Sequence, residues 1–418
     1  MVLSKTVNAP RPGSLAYLVS QYPAINHGFM LREIRELRRL GWQIATFSVA
    51  LPDREDAQLS EEEREERQRT RYLKGAAGEA LWAVFVYALQ RPARLVAAIG
   101  YSLRLGRPEL PLMLRRLLYL VEAVLLGRWV KAAGKRHVHT HYSSTVTLLM
   151  KRLYPELTFS LTVHGPDEVE DPVGFSLREK LREASLVMAI SHYAKSQLMR
   201  YSEPEEWDRI VVSYLGTPPV EAPKRAERPP GEPVRFLCVG RLAPVKGQQV
   251  LIEAAALLKR RGVRFQVSLA GGGPSANALA EAVQRFEVED CVTLEGRVSD
   301  ARLQELYQQA DVFVLPSFAE GVPGVLMEAM VTGLPCISTG VNGVPELITS
   351  GEEGLLVPPA DVEGLARAMA ALSQDAALRR RLGEAGRRKV LTQFNLQTNV
   401  ARLAAVFYER LADRLAGV

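Results

Sequence analysis

The apolar positions of this chain follow two alternating spacings, which predict strands and helices in turn. Leu15–Ser20 is a short, continuous apolar run, as expected for a buried strand. Met30–Leu40 repeats apolar residues on one helical face, Gly41 ends that pattern, and Trp42–Val49 is a second strand-like run. A strand, a helix and a strand in this order indicate a βαβ unit, and therefore a parallel sheet.

The same alternation continues along the chain. Further strands are predicted at His137–His141, Thr158–Val163, Leu186–Ile190, Ile210–Ser213, Arg235–Val239, Gln266–Ala270, Val292–Glu295, Val312–Leu315 and Pro335–Thr339. Residues 218–233 interrupt the alternation with Pro, Glu, Arg and Lys, and we interpret them as a linker. The pattern predicts an α/β protein with two doubly wound domains, at 1–217 and 234–396, and a last helix within 397–418.

Residues 71–131 are predicted to be a helical insertion in the first domain. Glu79–Leu89 and Leu112–Leu126 are apolar and helical, and prolines separate them. The window holds ten basic and three acidic residues, a net charge of +7 against +6 for the whole chain. This local excess indicates an anionic partner, such as a membrane surface. Alternatively, the helices pack on the first domain and their arginines are only solvated. The preceding segment, Asp53–Arg71, is interpreted as a solvated helix or a mobile loop.

Composition narrows the class of protein. A chain of 418 residues with 47% hydrophobic content suits two globular domains. Cys238, Cys291 and Cys336 lie in apolar strand-like runs, so we expect them to be reduced and buried. The first residues lack the apolar core of a signal peptide, and no uncharged apolar run approaches the roughly twenty residues that span a bilayer. We expect a cytoplasmic protein, either free or held on the inner face of the cytoplasmic membrane.

Two carboxylates eight residues apart, Glu320 and Glu328, flank a Pro-Gly turn after an apolar strand. The following helix is predicted to begin near Gly324, where its first amides lack carbonyl partners and its dipole favours an anion such as phosphate. Glu328, one turn inside, can accept hydrogen bonds from sugar hydroxyls, and Glu320 is free to reach a second polyol. This pattern suits a nucleotide-sugar. Alternatively, Glu320 is an ordinary loop acid and Glu328 a solvated helix position.

Two basic residues, Arg241 and Lys246, follow the strand that ends at Val239. Ligand sites of α/β sheets lie beyond the carboxyl ends of strands, so both side chains can reach such a site. A guanidinium fork and an ammonium together suit a diphosphate. Alternatively, they are two solvated charges in a loop.

The motifs resemble one known family over nearly the whole chain, least clearly between residues 50 and 130. The C-terminal half contains VGRLAPVKG, LAGGGP, EGRVSD, PSFAEGVPGVLMEAMVTGLPCIST, GVPELI and GLLVPPAD. The N-terminal half contains YLVSQYPAINHGFMLREIRELRRLGW, HVHTHYSS, LTVHGPDE and AISHYAKSQL. Together they resemble retaining GT-B glycosyltransferases of family four, in the branch that builds bacterial exopolysaccharide, capsule and lipopolysaccharide. The resemblance implies two Rossmann-like domains with a cleft between them, an acceptor on the N-terminal side, a donor on the C-terminal side, and a last helix that crosses back.

The resemblance also implies residue roles. Arg241 and Lys246 would stabilise the leaving diphosphate, Glu320 would orient the sugar hydroxyls, and His164 would face the donor sugar. As an alternative, His164 merely caps the end of a strand. We assign nucleotide-sugar binding to Gly13, Gly240, Arg297, Val298, Gly324, Val325, Leu326 and Glu328. We assign acceptor binding to Asp167, Glu168 and Asn26. Alternatively, Asp167 and Glu168 form a solvated turn. The loop Asn26–Phe29 departs from the Ser/Thr-rich stretch common in the branch, which leaves the acceptor open.

His137, His139 and His141 alternate along one strand, so a zinc site is conceivable. We expect no metal, because successive ligands on one face lie about 7 Å apart, and because the family has the same strand without one. No DxD-type site is evident, and no cofactor or nucleic-acid partner is expected.

The predicted function is a retaining transfer of a hexose from a nucleotide-diphosphate sugar to a saccharide or lipid-linked acceptor. A nucleotide-sugar epimerase, a phosphorylase and a non-catalytic sugar-binding subunit stay open as alternatives.

Overall fold

The computed structural model describes residues 13–142, 144–165, 167–223 and 232–415, apart from the side chains of Asn26 and Asp167. The chain forms two compact units. Unit 1 contains Met1–Leu215 and Leu396–Val418, and unit 2 contains Gly216–Asn395. Half of the predicted linker, residues 224–231, lies outside the described residues, as do residues 1–12 of the predicted N-terminus.

Unit 1 contains a parallel sheet that, in the described residues, has seven strands. They are β1 Ser14–Gln21, β2 Gln43–Ala50, β3 Thr70–Tyr72, β4 His137–His141, β5 Thr158–Val163, β6 Leu186–Ala189 and β7 Ile210–Val212. Their spatial order is β3-β2-β1-β4-β5-β6-β7. The chain starts at β1, builds outward to β3, and then continues with β4 on the other side of β1. The order therefore reverses between β1 and β4, the point at which doubly wound sheets bind ligands.

The helices of unit 1 correct two predictions. They are α1 Gly28–Arg39, α2 Glu61–Arg69, α3 Ala77–Gln90, α4 Pro92–Arg104, α5 Leu110–Ala132, α6 Ser144–Leu153, α7 Asp167–Glu170, α8 Leu177–Glu183 and α9 His192–Met199. The insertion was predicted without α4, but Pro92 occupies the first turn of that helix, where no N–H is needed. The charged segment before it is not simply solvated: Glu66 of α2 is fully buried, pairs with Arg38, and accepts from the Tyr22 hydroxyl at 2.9 Å.

Strand β1 shows why both faces of this sheet are buried. Ala16 and Leu18 belong to the core on one face, where residues of α5 such as Leu125 are buried. The alternate residues, including Leu15 and Tyr17, belong to the core on the other face. Side chains of a strand alternate between the two faces of the sheet. Because helices cover both faces, every residue of the strand is buried, and the strand is continuously apolar.

Unit 2 contains a second parallel sheet, of six strands in the residues described. They are β8 Val234–Val239, β9 Phe265–Ala270, β10 Val292–Gly296, β11 Val312–Leu315, β12 Cys336–Thr339 and β13 Gly354–Val357, in the order β10-β9-β8-β11-β12-β13. The order reverses between β8 and β11. The helices are α10 Gln248–Arg260, α11 Ala276–Arg285, α12 Asp300–Gln309, α13 Gly324–Val331, α14 Val344–Leu347, α15 Val362–Gln374 and α16 Ala376–Gln393. The last helix, α17 Leu396–Leu415, belongs to unit 1, where Phe407 contacts Trp42 at 5.9 Å between ring centroids.

The cysteines only partly match the expectation. All three are free thiols, and Cys238 and Cys336 are buried in β8 and β12. Cys291 instead precedes β10 and is half-buried. The alternating pattern placed it in a strand because the apolar run of β10 begins at the next residue.

Candidate active site

The predicted basic and acidic residues of unit 2 meet at the point where its strand order reverses. Lys246 lies in the loop after β8, and Glu320 lies in the loop after β11. The Lys246 Nζ is 2.6 Å from Glu320 Oε1, and the Ser317 hydroxyl donates to the same oxygen at 2.6 Å. Glu320 is buried and is held between these two donors. It is therefore not an ordinary loop acid, and the prediction that it is free was wrong.

The close approach of these two loops depends on Gly247. Its φ is +63°, and a Cβ there would lie 2.1 Å from the Pro316 carbonyl oxygen. The Phe318 N–H also donates to the Val245 carbonyl at 2.7 Å. Any side chain at Gly247 would therefore push the loops apart, and with them the ammonium and the carboxylate.

Helix α13 begins at Gly324, as predicted, and Pro323 gives it no side-chain cap. The N–H of Leu326 already donates to the Pro323 carbonyl at 3.2 Å, so this residue is a weaker anion donor than predicted. In the described part of the chain, the amides of Gly324 and Val325 have no hydrogen-bond partner. Gly324 is exposed, so this helix end can receive an anion.

Glu328 lies one turn further along α13 and is half-buried rather than solvated. The Tyr307 hydroxyl lies 3.5 Å from its Oε2 and 3.4 Å from the Val325 carbonyl. Burial, and then the charge of Glu328, raise the pKa of Tyr307 well above its usual value. Tyr307 therefore stays a donor and orients the carboxylate, a role that no local motif of the sequence indicates.

The glycine-rich turn after β9 packs against the loop after β8. Gly271 has a φ of +150°, and a Cβ there would lie 1.9 Å from the Gly240 carbonyl oxygen. Gly272 leaves room for the side chain of Arg297, whose Cγ would be 2.6 Å from an added Cβ. Gly240, Arg297 and Val298, predicted to contact the nucleotide, thus lie with the exposed Arg241 at the carboxyl ends of neighbouring strands.

Gly13 was predicted to bind the nucleotide-sugar, but the structure places it away from the carboxyl edge of the sheet. It precedes β1 at the amino end of that strand, whereas ligand sites of parallel sheets lie at carboxyl ends. An added Cβ would lie 2.6 Å from the Trp42 ring. The glycine therefore makes room for Trp42 and does not lie at the carboxyl edge.

In unit 1, His164 follows β5 and lies beside His141, the last residue of β4. The two rings face each other with His141 Nδ1 2.7 Å from His164 Nε2. The His164 ring is packed against Phe29 and Tyr142, with ring centroids 4.8 and 4.7 Å away. Burial, and then the neighbouring His141, lower the pKa of His164 well below its usual value, so its ring is neutral.

Of the three acceptor residues, Glu168 is the one whose side chain is described. It is buried, and its Oε2 accepts from the His164 backbone N–H at 3.4 Å, so it is not part of a solvated turn. Nearby, burial lowers the pKa of Lys180 to about 8, although Glu168 opposes that shift. Through its hydrogen bond from the His164 backbone N–H, Glu168 supports His164. The side chains of Asn26 and Asp167 lie outside the described residues.

Strand spacing does not keep these histidine nitrogens apart, contrary to the prediction. The backbone repeat separates the residues, but the rings turn toward each other, and His139 Nε2 lies 3.1 Å from His141 Nε2. Glu33 Oε1 is 3.3 Å from His141 Nε2. One atom from each of Glu33, His139 and His141 falls within 4.8 Å of the others, so this buried group could hold an ion.

Glu33 was missed, although the sequence carried a signal. It lies on the same helical face as Met30, Ile34 and Leu37, all of them buried. A carboxylate on a core-facing stripe must have partners. The Tyr17 hydroxyl supplies one at 2.8 Å.

Two all-parallel, doubly wound units with these loops at the carboxyl edge have the GT-B glycosyltransferase fold. Among solved structures, HepE of Anabaena in complex with UDP is similar over 95% of this chain and 100% of that chain, with a TM-score of 0.69 and 16% sequence identity. The family model for glycosyl transferases group 1 matches residues 220–389.

Related sequences agree. D-inositol 3-phosphate glycosyltransferase of Corynebacterium glutamicum is 30% identical over 306 residues, which is 66% of this chain and 72% of the relative. The chain belongs to the group 1 glycosyl transferases. Putative colanic acid biosynthesis glycosyltransferase WcaL of Salmonella typhimurium is 33% identical over 55% of this chain, and the match spans 58% of that relative's length. Amylovoran biosynthesis glycosyltransferase AmsK of Erwinia amylovora is 28% identical over 95% of this chain and its own full length.

Proposed function

We propose that this chain transfers a hexose, with retention, from a nucleotide-diphosphate sugar to a saccharide or lipid-linked acceptor, in bacterial cell-surface polysaccharide synthesis on the cytoplasmic side. The observation that carries the proposal is the Lys246–Glu320 pair at the strand reversal of unit 2. The exposed Arg241 and the uncapped start of α13 lie at the same sheet edge. The polysaccharide names of WcaL and AmsK, and the UDP bound by HepE, support the class of donor and product.

The pair suits a donor with a diphosphate next to a sugar. Lys246 and Ser317 both use Oε1 of Glu320, so Oε2 is the oxygen that can accept from a sugar hydroxyl. The ammonium of Lys246 and the guanidinium of Arg241 can balance the charge of the leaving diphosphate. The amides of Gly324 and Val325 add two hydrogen-bond donors for the diphosphate, and no acidic side chain caps them.

The reaction proceeds on one face of the sugar. The bond from the anomeric carbon to the diphosphate oxygen breaks, and that oxygen keeps the electron pair. The acceptor oxygen bonds the same carbon from the same side, and its proton passes to the departing phosphate oxygen. Configuration is thereby retained without an enzyme nucleophile. Arg241 and Lys246 hold the negative charge that develops.

The donor is tested by mass spectrometry of products from UDP-, GDP- and ADP-sugars, with and without acceptor saccharides. We expect one donor to yield its nucleoside diphosphate, slowly with water and faster with an acceptor. Conversion of a donor into its stereoisomer would instead establish an epimerase. Binding without any release of nucleoside diphosphate would establish a non-catalytic subunit. Sugar phosphate formed from a polymer and free phosphate would establish a phosphorylase.

Transfer should survive a chelator. The reason is that Arg241 and Lys246 provide positive charge where a metal-dependent enzyme would bind a metal ion. Initial rates measured with and without EDTA, after passage over a chelating resin, are expected to agree. Abolition of transfer, with recovery on adding magnesium or manganese, would contradict this part of the proposal.

We also propose that unit 1 binds anionic membranes, through some of the basic residues that the charge pattern indicated together with exposed apolar side chains. Arg116 is buried and donates to the Arg107 carbonyl at 2.8 Å, and Arg107 pairs with Asp171 at 2.9 Å. Large apolar side chains are exposed instead, at Leu81, Trp82, Phe85 and Leu89 of α3 and at Leu110, Leu114 and Leu118 of α5. Exposed arginines of the same region are Arg91, which lies between α3 and α4, Arg94 and Arg104 of α4, and Arg115 of α5. Within the described residues no helix has both the length and the apolar character to cross a bilayer.

Co-sedimentation with liposomes tests this surface. We expect binding to vesicles with anionic lipid, weakened by salt, since each basic side chain near the surface contributes about 1 kcal/mol. Reversal of Arg91, Arg94, Arg104 and Arg115 to Glu should abolish it, and Trp82→Ser with Phe85→Ser should weaken it by removing inserted apolar area. The matched control reverses the exposed Arg260, Arg285, Arg380 and Arg388 of unit 2. Equal binding to neutral vesicles, or equal loss with the control, would contradict the proposal.

A further inference from the structure

A chain of hydrogen-bonding groups leads from the core of unit 1 to His164. The Tyr17 hydroxyl donates to Glu33 Oε1 at 2.8 Å, and the same oxygen faces His141 Nε2 at 3.3 Å. The other nitrogen of His141, Nδ1, faces His164 Nε2 at 2.7 Å. Tyr17, Glu33, His141 and His164 are all buried. Both His141 and His164 lie at the carboxyl edge of neighbouring strands, where this sheet can meet a ligand.

The order of donors and acceptors along these hydrogen bonds determines one tautomer for each of the two histidine rings. A carboxylate oxygen can only accept, so the His141 nitrogen that faces Glu33 is the one that carries a proton. In a neutral His141, Nδ1 then has a lone pair and must accept from His164 Nε2. The single proton of the neutral His164 ring is therefore on Nε2, and its Nδ1 is left with a lone pair. No described residue hydrogen-bonds to that Nδ1.

The neighbouring His139 is compatible with this order. Its Nδ1 lies 2.7 Å from the Ser160 hydroxyl, and its Nε2 lies 2.9 Å from the Thr162 hydroxyl and 3.1 Å from His141 Nε2. Burial lowers the pKa of His139 well below its usual value, so its ring is neutral. A His139 ring with its proton on Nδ1 accepts from both Thr162 and His141.

We propose that Glu33 and His141 are positioning residues that hold His164 in the tautomer protonated on Nε2. The lone pair on Nδ1 of His164 can then accept a hydrogen bond from a sugar hydroxyl that reaches this edge of unit 1. The ring orientation is already restrained, since Phe29 and Tyr142 pack against it. This role for His164 rests on the proposed transferase function, whereas the tautomer itself does not.

A metal ion at the same residues would produce the opposite tautomer. Its bonds would need the lone pairs of His139 Nε2 and His141 Nε2, which moves the His141 proton to Nδ1. His141 would then donate to His164 Nε2, and the His164 proton would be on Nδ1. The hydrogen-bonded arrangement is preferred because Tyr17 already donates to Glu33 Oε1 and Thr162 lies within hydrogen-bond distance of His139 Nε2.

Nitrogen NMR of the ligand-free protein decides between the two tautomers. The protein has six histidines, and with their rings labelled with ¹⁵N the His164 signals are assigned by their loss in His164→Asn. Two-bond proton–nitrogen correlations are expected to show Nε2 protonated and Nδ1 bare. His164 protonated on Nδ1 would overturn the proposal, whether with stoichiometric zinc in the elemental analysis or with a doubly protonated His141.

Kinetics test the consequence. Glu33→Gln keeps the shape but removes the carboxylate, so His141 no longer has a fixed proton position. We expect kcat to fall about 10- to 100-fold, by analogy with the loss of a residue that orients a metal-ligating histidine, with KM for the donor little changed. His164 in this variant should also show mixed tautomers. The matched control is His137→Gln on the same strand, because His137 is equally buried and bonds only the hydroxyls of Thr158 and Ser160.

The outcomes separate this inference from the proposed function. An unchanged kcat in folded Glu33→Gln, or an equal loss in His137→Gln, would overturn the positioning role. If the wild type neither binds nor cleaves any nucleotide-sugar, the proposed function fails, while the tautomer measurement still stands on its own. If Glu33→Gln does not fold, the wild-type NMR result and His141→Asn provide the test, with the same loss of kcat expected.

Discussion

Replacing Lys246 by methionine is expected to lower kcat/KM for sugar transfer by a few hundredfold or more. Lys246 is one of two cations at the strand reversal of unit 2, and a preorganised donor to charge that develops in the transition state contributes roughly 3–4 kcal/mol. Glu320→Gln should also lower transfer strongly, because an amide cannot replace the carboxylate that pairs with Lys246 at 2.6 Å. Release of nucleoside diphosphate from the preferred donor is the measurement, with circular dichroism to show that each variant is folded.

A second ion pair of unit 2 provides the matched control. Lys389 lies 3.4 Å from Glu353, and both side chains are 13% exposed, compared with 23% for Lys246 and 8% for Glu320, so this pair is shielded from solvent to a similar degree. Glu353 directly precedes β13, at the amino end of that strand and therefore away from the proposed donor site. Lys389→Met is expected to leave transfer unchanged. Near-normal turnover in Lys246→Met, or an equal loss in Lys389→Met, would remove Lys246 from the site.

Unit 1 is expected to lose stability steeply as the pH falls from 7 to 5. Burial lowers the pKa of His137 to about 3, and lowers those of His139 and His164 well below their usual value. These rings are neutral in the folded state, whereas the unfolded chain takes up protons below about pH 6.5. Stability is therefore present above that pH and falls below it. His137 alone should reduce the free energy of unfolding by about 2 kcal/mol at pH 5, and the other two add to this loss.

Tryptophan fluorescence during urea denaturation measures this effect in unit 1 alone. All four tryptophans, Trp42, Trp82, Trp129 and Trp207, belong to that unit. His137→Gln removes one titrating group, so its stability should depend less on pH even if it is lower at pH 7. Equal free energies of unfolding at pH 7 and pH 5 would show that these histidines are not held neutral.

Most strands could be predicted from the sequence because parallel strands buried on both faces appear as continuous apolar runs. His137–His141, Thr158–Val163 and Val312–Leu315 agree with the structure at both ends. The strands that were missed, β3 and β13, are short and are each the outermost strand of their sheet. Pro92 was taken as a break because proline ends a helix from inside but also starts one, and the residue type alone does not say which.

The sequence by itself determined the type of each site residue and its position after a strand. Arg241, Lys246 and Glu320 follow apolar runs, and a parallel sheet brings such positions to one edge. Only the tertiary structure decided the pairing of Lys246 with Glu320, 74 residues apart, because the β8 and β11 loops approach where the strand order reverses. The same holds for Glu33, whose contact with His141 depends on the packing of α1 against the sheet. Local spacing specifies elements and faces, whereas side-chain partners and protonation states depend on which distant groups share a buried space.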